Sequence, residues 1–345
     1  MVSSISIEAI MYSNFIKYPK LAELTQQEFA GSTACDLNVY IDVTMFTRLL
    51  YNDFFISDEN CLAAVVLNYC AHIKDFYRKL GVRVNIILVY SDETDAINKQ
   101  FLPEYNYNYL NKKSVSENLK IENINIQILE LLCRYLPGIY LKKGSVEPAV
   151  IISYLMRNDF NNGFPNIVFS TSPFSYQLPC YNPCVIFRKK KFKQDDISFS
   201  VNSSNALIVY AQEASNAQIR NRFNNLLIST LFCLSGLSKR DVKKKMSISK
   251  ALYIIINMNP NTYGDIESMY DQICTFATSK DILGFTMFEW NNRFKALDLN
   301  YQVKLYETLP ESRDTTYIVD LNDPDKVKYI NNNYFINNPI DLQRL

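Results

Sequence analysis

Three carboxylates sit where an α/β protein gathers its chemistry. Asp42 closes the apolar run Leu37–Ile41, Asp92 follows the run Val84–Tyr90 and Ser91, and Glu147 opens a helical stretch. Functional groups of open α/β sheets collect at the carboxyl ends of the strands, so the three can meet at one edge. Carboxylates grouped in this way suit a two-metal phosphodiesterase, with Mg²⁺ or Mn²⁺ ions about 3.5–4 Å apart. Each divalent ion takes about six oxygen ligands, so three carboxylates support one weakly held ion better than a close pair. The single histidine, His72, lies in a helical apolar repeat. Ser/His/Asp and Cys/His groups and His-based zinc sites are thereby nearly excluded.

The elements that must position these residues follow from periodicity. Leu37–Ile41 and Val82–Tyr90, rich in β-branched residues, read as buried strands, and Ile167–Ser170 as a third. Val185–Phe187 and Ala206–Val209 are further strand candidates. Asn60–Leu80 carries apolar residues at helical spacing and meets Gly81 at its stop. Ile124–Leu136 reads as a helix, and Ser145 as the cap of another over Val146–Arg157 with Pro148 in its first turn. Gln100–Leu119 is polar, aromatic and basic, an expected exposed loop or arch. This alternation predicts an α/β fold, a mostly parallel sheet with helices on both faces. After about Asn216 the pattern turns helical, over Ile219–Leu234, Ile248–Ile256 and Ile266–Ala277. The expected organisation is an α/β core over 1–215, a helical subdomain over 216–285 and an extension over 286–345 that packs back on the core.

Composition narrows the classes further. Of the 345 residues 48% are hydrophobic and 21% charged, which is a folded chain with a sizeable core. The net charge is +1, so a nucleic-acid surface must be a local patch. Only 8 glycines are present and no phosphate-cradling pattern appears. The 8 cysteines are scattered through apolar segments, as expected of reduced, buried thiols in the cytoplasm. No apolar run reaches the roughly 18 residues of a membrane span, and no signal peptide is evident. Abundant Asn, Tyr, Ile and Lys suggest an AT-rich phage or viral genome.

Several motifs carry a family resemblance. Leu102-Pro103-Glu104-Tyr105 inside Gln100–Lys113 resembles the start of the mobile arch of the flap endonuclease and phage 5′ nuclease family, whose fold is PIN-like. Ile41-Asp42 and Val89-Tyr90-Ser91-Asp92 resemble the family's acidic strand ends. Ser145-Val146-Glu147-Pro148-Ala149 is similar to its helix start with two glutamates, the second replaced by Ala149. Ile167–Leu178 is similar to the strand that ends in paired aspartates. Ser172 and Phe174, or Pro173 and Ser175 in the other register, stand at those positions. Leu234–Asp241 and Met246–Leu252 resemble the helix–three-turn–helix element, with Ser238, Ser247 and Ser249 replacing an aspartate and two glycines. Asn106 and Tyr109 stand where the arch carries its lysine and arginine.

The resemblance implies a degenerate metal site of Asp42, Asp92 and Glu147, with no cofactor, or Mg²⁺ or Mn²⁺ if the chain is active. Phosphate contacts need only cations and backbone N–H groups, so nucleic-acid affinity can outlive catalysis. The basic candidates are Lys112, Lys113, Lys239, Arg240, Lys243, Lys244, Lys245 and Lys250, and Tyr105, Tyr107 and Tyr109 are candidates for stacking on unpaired bases. Arg188–Lys193 reads as a solvated hairpin tip. The expected function is a non-catalytic protein that binds branched or single-stranded DNA or RNA, or assembles a phage or viral replication, repair or transcription complex. The alternatives are an active Mg²⁺-dependent 5′ nuclease and a scaffold without nucleic-acid affinity.

Overall fold

Apolar strands buried on both faces can pair in parallel only when helices cover both sides, and this chain builds that arrangement. The computed structural model describes residues 16–18, 36–43, 61–79, 81–91, 96–105, 126–127, 129–130, 133, 136, 138–170, 172–178, 184–189, 197–200, 226–237, 242–262, 265–278 and 284–314. In chain order its elements are β1 (Ile16–Tyr18), β2 (Asp36–Asp42), α1 (Cys61–Lys79), β3 (Arg83–Ser91), α2 (Ala96–Phe101), β4 (Ile139–Gly144), α3 (Pro148–Arg157), β5 (Asn166–Phe169), β6 (Val185–Lys189), β7 (Ile197–Ser200), α4 (Leu226–Ser235), α5 (Ile248–Asn257), α6 (Ile266–Phe276), α7 (Met287–Leu297) and α8 (Leu299–Tyr306). The described strands form one sheet in the order β1-β7-β6-β5-β2-β3-β4. From β6 to β4 every neighbouring pair is parallel. Strands β1 and β7 add antiparallel at the other edge, and β6 and β7 form a hairpin.

Side-chain alternation along the strands divides two apolar layers. Tyr40, Ile87, Val89 and Val168 join one cluster with Val150 and Leu155 of α3 and continue into Leu231 of α4, Ile254 of α5, Trp290 of α7 and Val303 of α8. The sheet and the helical region therefore share one core. Phe169 points to the opposite face, where Tyr69 of α1 meets it edge-on with ring centroids 5.7 Å apart. Helix α1 ends as its sequence requires, with Gly81 at φ 74° and Gly81 N donating to Arg78 O at 3.0 Å.

Two polar devices fix the elements. Asn38 of β2 is fully buried. Its Nδ2 donates to Asn162 Oδ1 (3.0 Å) and Asn166 Oδ1 (3.2 Å), and its Oδ1 accepts from Asn85 Nδ2 (3.1 Å). Asn38 faces Asn85 and Asn166 in register, so the amides pin three strands against a slip. The second device is at the buried end of α7, whose last carbonyls lack intrahelical donors. Gln302 donates to Lys295 O, Asn98 to Ala296 O at 2.7 Å and Gln177 to Leu297 O at 2.9 Å. Side-chain amides from α8, α2 and the 3₁₀ turn Pro173–Gln177 thus hold the helical region to the sheet.

Some elements depart from the sequence expectation. Strand β4 lies where none was read, and β1 and β7 are likewise unforeseen. Ser145 does not cap α3. Glu147 holds the N-cap position without a side-chain cap bond, while Ser145 N and Oγ donate to the Glu311 carboxylate at 3.1 and 2.9 Å. Proline in the first helical turn removes one donor that a cap would serve, which frees the Glu147 side chain for other partners. Ala206–Val209 falls outside the described residues. Residues 126–127, 129–130 and 133 of the Ile124–Leu136 stretch are helical. His72 is exposed on α1. Cys70, Cys133 and Cys233 are buried thiols, and Cys184 and Cys274 are half-buried ones.

Candidate functional site

The carboxyl ends of β2 and β5 meet the amino-terminal end of α3. Strands β2 and β5 pair in register up to Ile41 and Phe169, so Asp42 and Ser170, one residue further on each, lie side by side. Both share the sheet face of Tyr40 and Val168, the face covered by α3. Ser170 Oγ donates to Asp42 Oδ2 at 2.8 Å and accepts from Ser172 N at 3.1 Å. Ser172 Oγ donates to Glu147 Oε2 at 3.2 Å and accepts from Phe174 N at 3.2 Å. The Tyr105 hydroxyl donates to Glu147 Oε1. One connected network thus runs from Asp42 through Ser170 and Ser172 to Glu147 and Tyr105. All five side chains are buried.

Of the three carboxylates read from the sequence, the network unites Asp42 and Glu147. Asp92 falls outside the described residues, next to buried Ser91 at the end of β3. Ser172 brings a hydroxyl to Glu147, Phe174 turns into the core, and the buried Ser175 donates to Ser172 O at 2.5 Å. Ala149 is buried in the first turn of α3. A close pair of divalent ions needs several carboxylates among about six oxygen ligands each, and the described site supplies two, Asp42 and Glu147, each accepting from hydroxyl donors. The described donor set therefore does not fit a pair of divalent ions. Among the described residues, no group of three or more His, Cys, Asp or Glu side chains is arranged to hold a metal.

Tyr105 requires a correction. It was expected as an exposed stacking residue, but its ring is fully buried in the core and its hydroxyl is committed to Glu147. The apolar start of the segment explains this, because Leu102 is buried with it and the Tyr105 amide donates to Leu102 O at 2.8 Å. Tyr107, Tyr109, Lys112 and Lys113 lie outside the described residues. The sequence offered no signal for Ser170 or for the Tyr105–Glu147 pair, since both depend on strand register and on contacts between distant segments.

A second candidate surface is the turn between α4 and α5. Gly236 follows α4 at φ 73°, where a Cβ would lie 2.7 Å from Lys244 N and 2.9 Å from the Lys243 carbonyl carbon. Only glycine lets the chain close there. Leu237 and Val242 exchange backbone bonds of 3.0 and 3.1 Å, and Lys245 N and Met246 N donate to Leu234 O at 2.9 and 3.1 Å. Ser247 then caps α5 by accepting from Lys250 N at 3.3 Å. Buried Arg293 of α7 braces the turn from within, donating to Cys233 O (2.7 Å) and Lys243 O (2.6 Å). Burial pulls the Arg293 pKa down, while Cys233 and Glu289 oppose the shift.

The basic candidates divide at this turn. Lys243 and Lys244 are exposed. Lys250 lies over the Tyr253 ring, 5.3 Å from its centroid. Lys245 is half-buried, forms an ion pair with Glu289 and lies over the Phe285 ring. Lys239 and Arg240 lie outside the described residues, as does most of the Arg188–Lys193 run, of which Arg188 and Lys189 belong to β6.

No protein-family model matches the sequence, and no curated protein matches it. Solved structures match through the fold. The D15 protein of phage T5 crystallised with metal ions superposes with TM-score 0.52 at 15% identity, covering 78% of this chain and 92% of its own. A pseudo-enzyme-product complex of the bacteriophage T5 flap endonuclease with DNA and metal ions gives TM-score 0.51 at 15% identity, covering 78% and 91%. With the parallel sheet, the helices on both faces and the shared core, these matches settle the architecture: the chain has the flap endonuclease and 5′-3′ exonuclease fold.

Proposed function

We propose that this protein binds nucleic acid without cutting it, as a member of a phage or viral replication, repair or transcription assembly in the host cytoplasm. The observation that carries the reading is the pairing of Asp42 and Glu147 with hydroxyls of Ser170, Ser172 and Tyr105. Two-metal hydrolysis needs carboxylates that face the ions, and a serine hydroxyl adds no negative charge to hold them. The turn after α4 still offers what a phosphate contact needs, although Ser247 and Ser249 stand in place of two glycines there. The turn after α4 keeps its glycine, its capped second helix and two exposed lysines. Cations on a rigid turn suffice for backbone contacts.

The binding half of the proposal is tested at Lys243 and Lys244. Replacing both with glutamine is expected to weaken binding to branched and single-strand-bearing DNA irrespective of sequence. The slope of log affinity against log salt should fall by about 1 to 2, because each phosphate contact contributes close to one released counterion. Anisotropy titrations across a salt series measure both quantities. Unchanged affinity and slope in the double variant, or no nucleic-acid affinity in the native protein, would overturn this reading.

A further inference from the structure

Tyr105 is sealed in the core and offers no ring to an unpaired base. Tyr253 and Phe288 are the exposed large hydrophobic side chains among the described residues, 51% and 74% accessible. Tyr253 lies in the second turn of α5, on the face opposite the buried Ala251, Leu252, Ile254 and Ile255. Lys250, one turn earlier on that helix, holds its ammonium over the ring. Exposed Lys243 and Lys244 lie in the turn that leads into the same helix. An isolated exposed aromatic needs no explanation, but this one has a lysine over its ring and lies on the helix into which the exposed Lys243 and Lys244 lead. A cation over the ring pairs with the negative π face, and half of the side chain remains accessible to solvent.

We infer that Tyr253 is a stacking platform for an unpaired base at the edge of the phosphate-binding turn. The inference rests on the proposed nucleic-acid binding and specifies the form of ligand that this surface takes. Lysines around the α5 start hold backbone phosphates, and the accessible ring receives one base of a single-stranded segment next to a duplex. A base inside a continuous duplex has both faces covered by its neighbours and cannot stack there. The surface therefore favours a junction between paired and unpaired strands over a continuous duplex.

The test compares a long fully paired DNA duplex with the same duplex carrying a single-stranded extension, at one salt concentration. Tyr253→Ala and Tyr253→Leu are expected to lose about 5- to 100-fold affinity for the tailed duplex, as removal of one stacking aromatic does. Both should bind the fully paired duplex within about 2-fold of the native protein, on the same stacking argument. Tyr253→Phe keeps the ring and should bind both as the native protein does. Because Tyr253 is exposed, thermal unfolding of all three variants should match the native protein. Native-like affinity of Tyr253→Ala for the tailed duplex, or equal loss on both ligands, would overturn the stacking role. If the native protein binds and responds at Lys243 and Lys244 but not at Tyr253, this inference alone fails. If the native protein binds neither DNA, the proposed function fails with it.

Discussion

Arg293→Ala is expected to lower the free energy of unfolding by about 3–5 kcal/mol, the range for breaking a buried charged group's bonds and leaving a cavity. Its guanidinium is 1% exposed and reaches Cys233 O at the end of α4 and Lys243 O in the following turn. Glu289, one turn earlier on α7, lies 3.7 Å from it. Hydrogen bonds to a charged donor contribute about 1.5–3 kcal/mol each, and truncation also strands the Cys233 carbonyl in an apolar layer. Arg293→Lys should recover less than half of the loss, because a point ammonium cannot span two carbonyls as a planar fork does. Urea denaturation followed by far-ultraviolet circular dichroism measures both variants. A change below about 1 kcal/mol for Arg293→Ala, the size of an ordinary surface substitution or little more, would show that the brace is dispensable. The braced turn also presents Lys243 and Lys244, so DNA affinity should fall along with stability.

Glu147→Ala is expected to destabilise the protein by a comparable amount, about 2–5 kcal/mol, because it leaves the Tyr105 and Ser172 hydroxyls buried without their acceptor. The direction separates two accounts of this residue. Carboxylates kept apart for absent metal ions repel one another and strain the fold, so removing one stabilises the protein, as removal of functional groups commonly does. A carboxylate that two hydroxyl donors engage is a fastener, and its removal costs stability. Tyr105→Phe, which deletes one donor and keeps the ring, should cost about 1–2 kcal/mol, near the net worth of one buried hydrogen bond. Differential scanning calorimetry of the two variants reads the sign directly. Stabilisation by Glu147→Ala would contradict the fastener.

How much of this was legible in the sequence depended on whether its cause was local. Strands β2, β3 and β5 announced themselves because both faces are largely buried and their central residues are mostly apolar and β-branched or aromatic. Helices α1, α5 and α6 kept their expected bounds to within a residue or two, because their apolar spacing and caps are local signals. Strand β4 stayed hidden because Ile139–Gly144 carries two lysines. Lys142 is nonetheless buried, since its ammonium finds the carbonyls of Glu311, Ser312 and Asp314 some 170 residues later. Nothing near Arg293 in sequence foretells the two carbonyls it serves.

The candidate site followed the same rule. Asp42 and Glu147 could be placed at one edge from strand ends and helix start alone. Their partners could not, because Ser170 reaches Asp42 through the register of β2 with β5 and Tyr105 reaches Glu147 from a separate segment. Reading Tyr105 as exposed treated its surroundings as uniformly polar, whereas the apolar anchor Leu102 three residues earlier carries it inward.

The central claim, a nucleic-acid-binding nuclease fold whose carboxylates are committed to hydroxyls, is tested most directly by single-turnover incubation of excess protein with end-labelled 5′-flap and nicked duplexes in Mg²⁺ and in Mn²⁺. The DNA should be bound, as a mobility shift in the same samples would report, and should remain intact over hours in either metal. Metal-dependent cleavage at the junction that disappears in Asp42→Ala would contradict the claim.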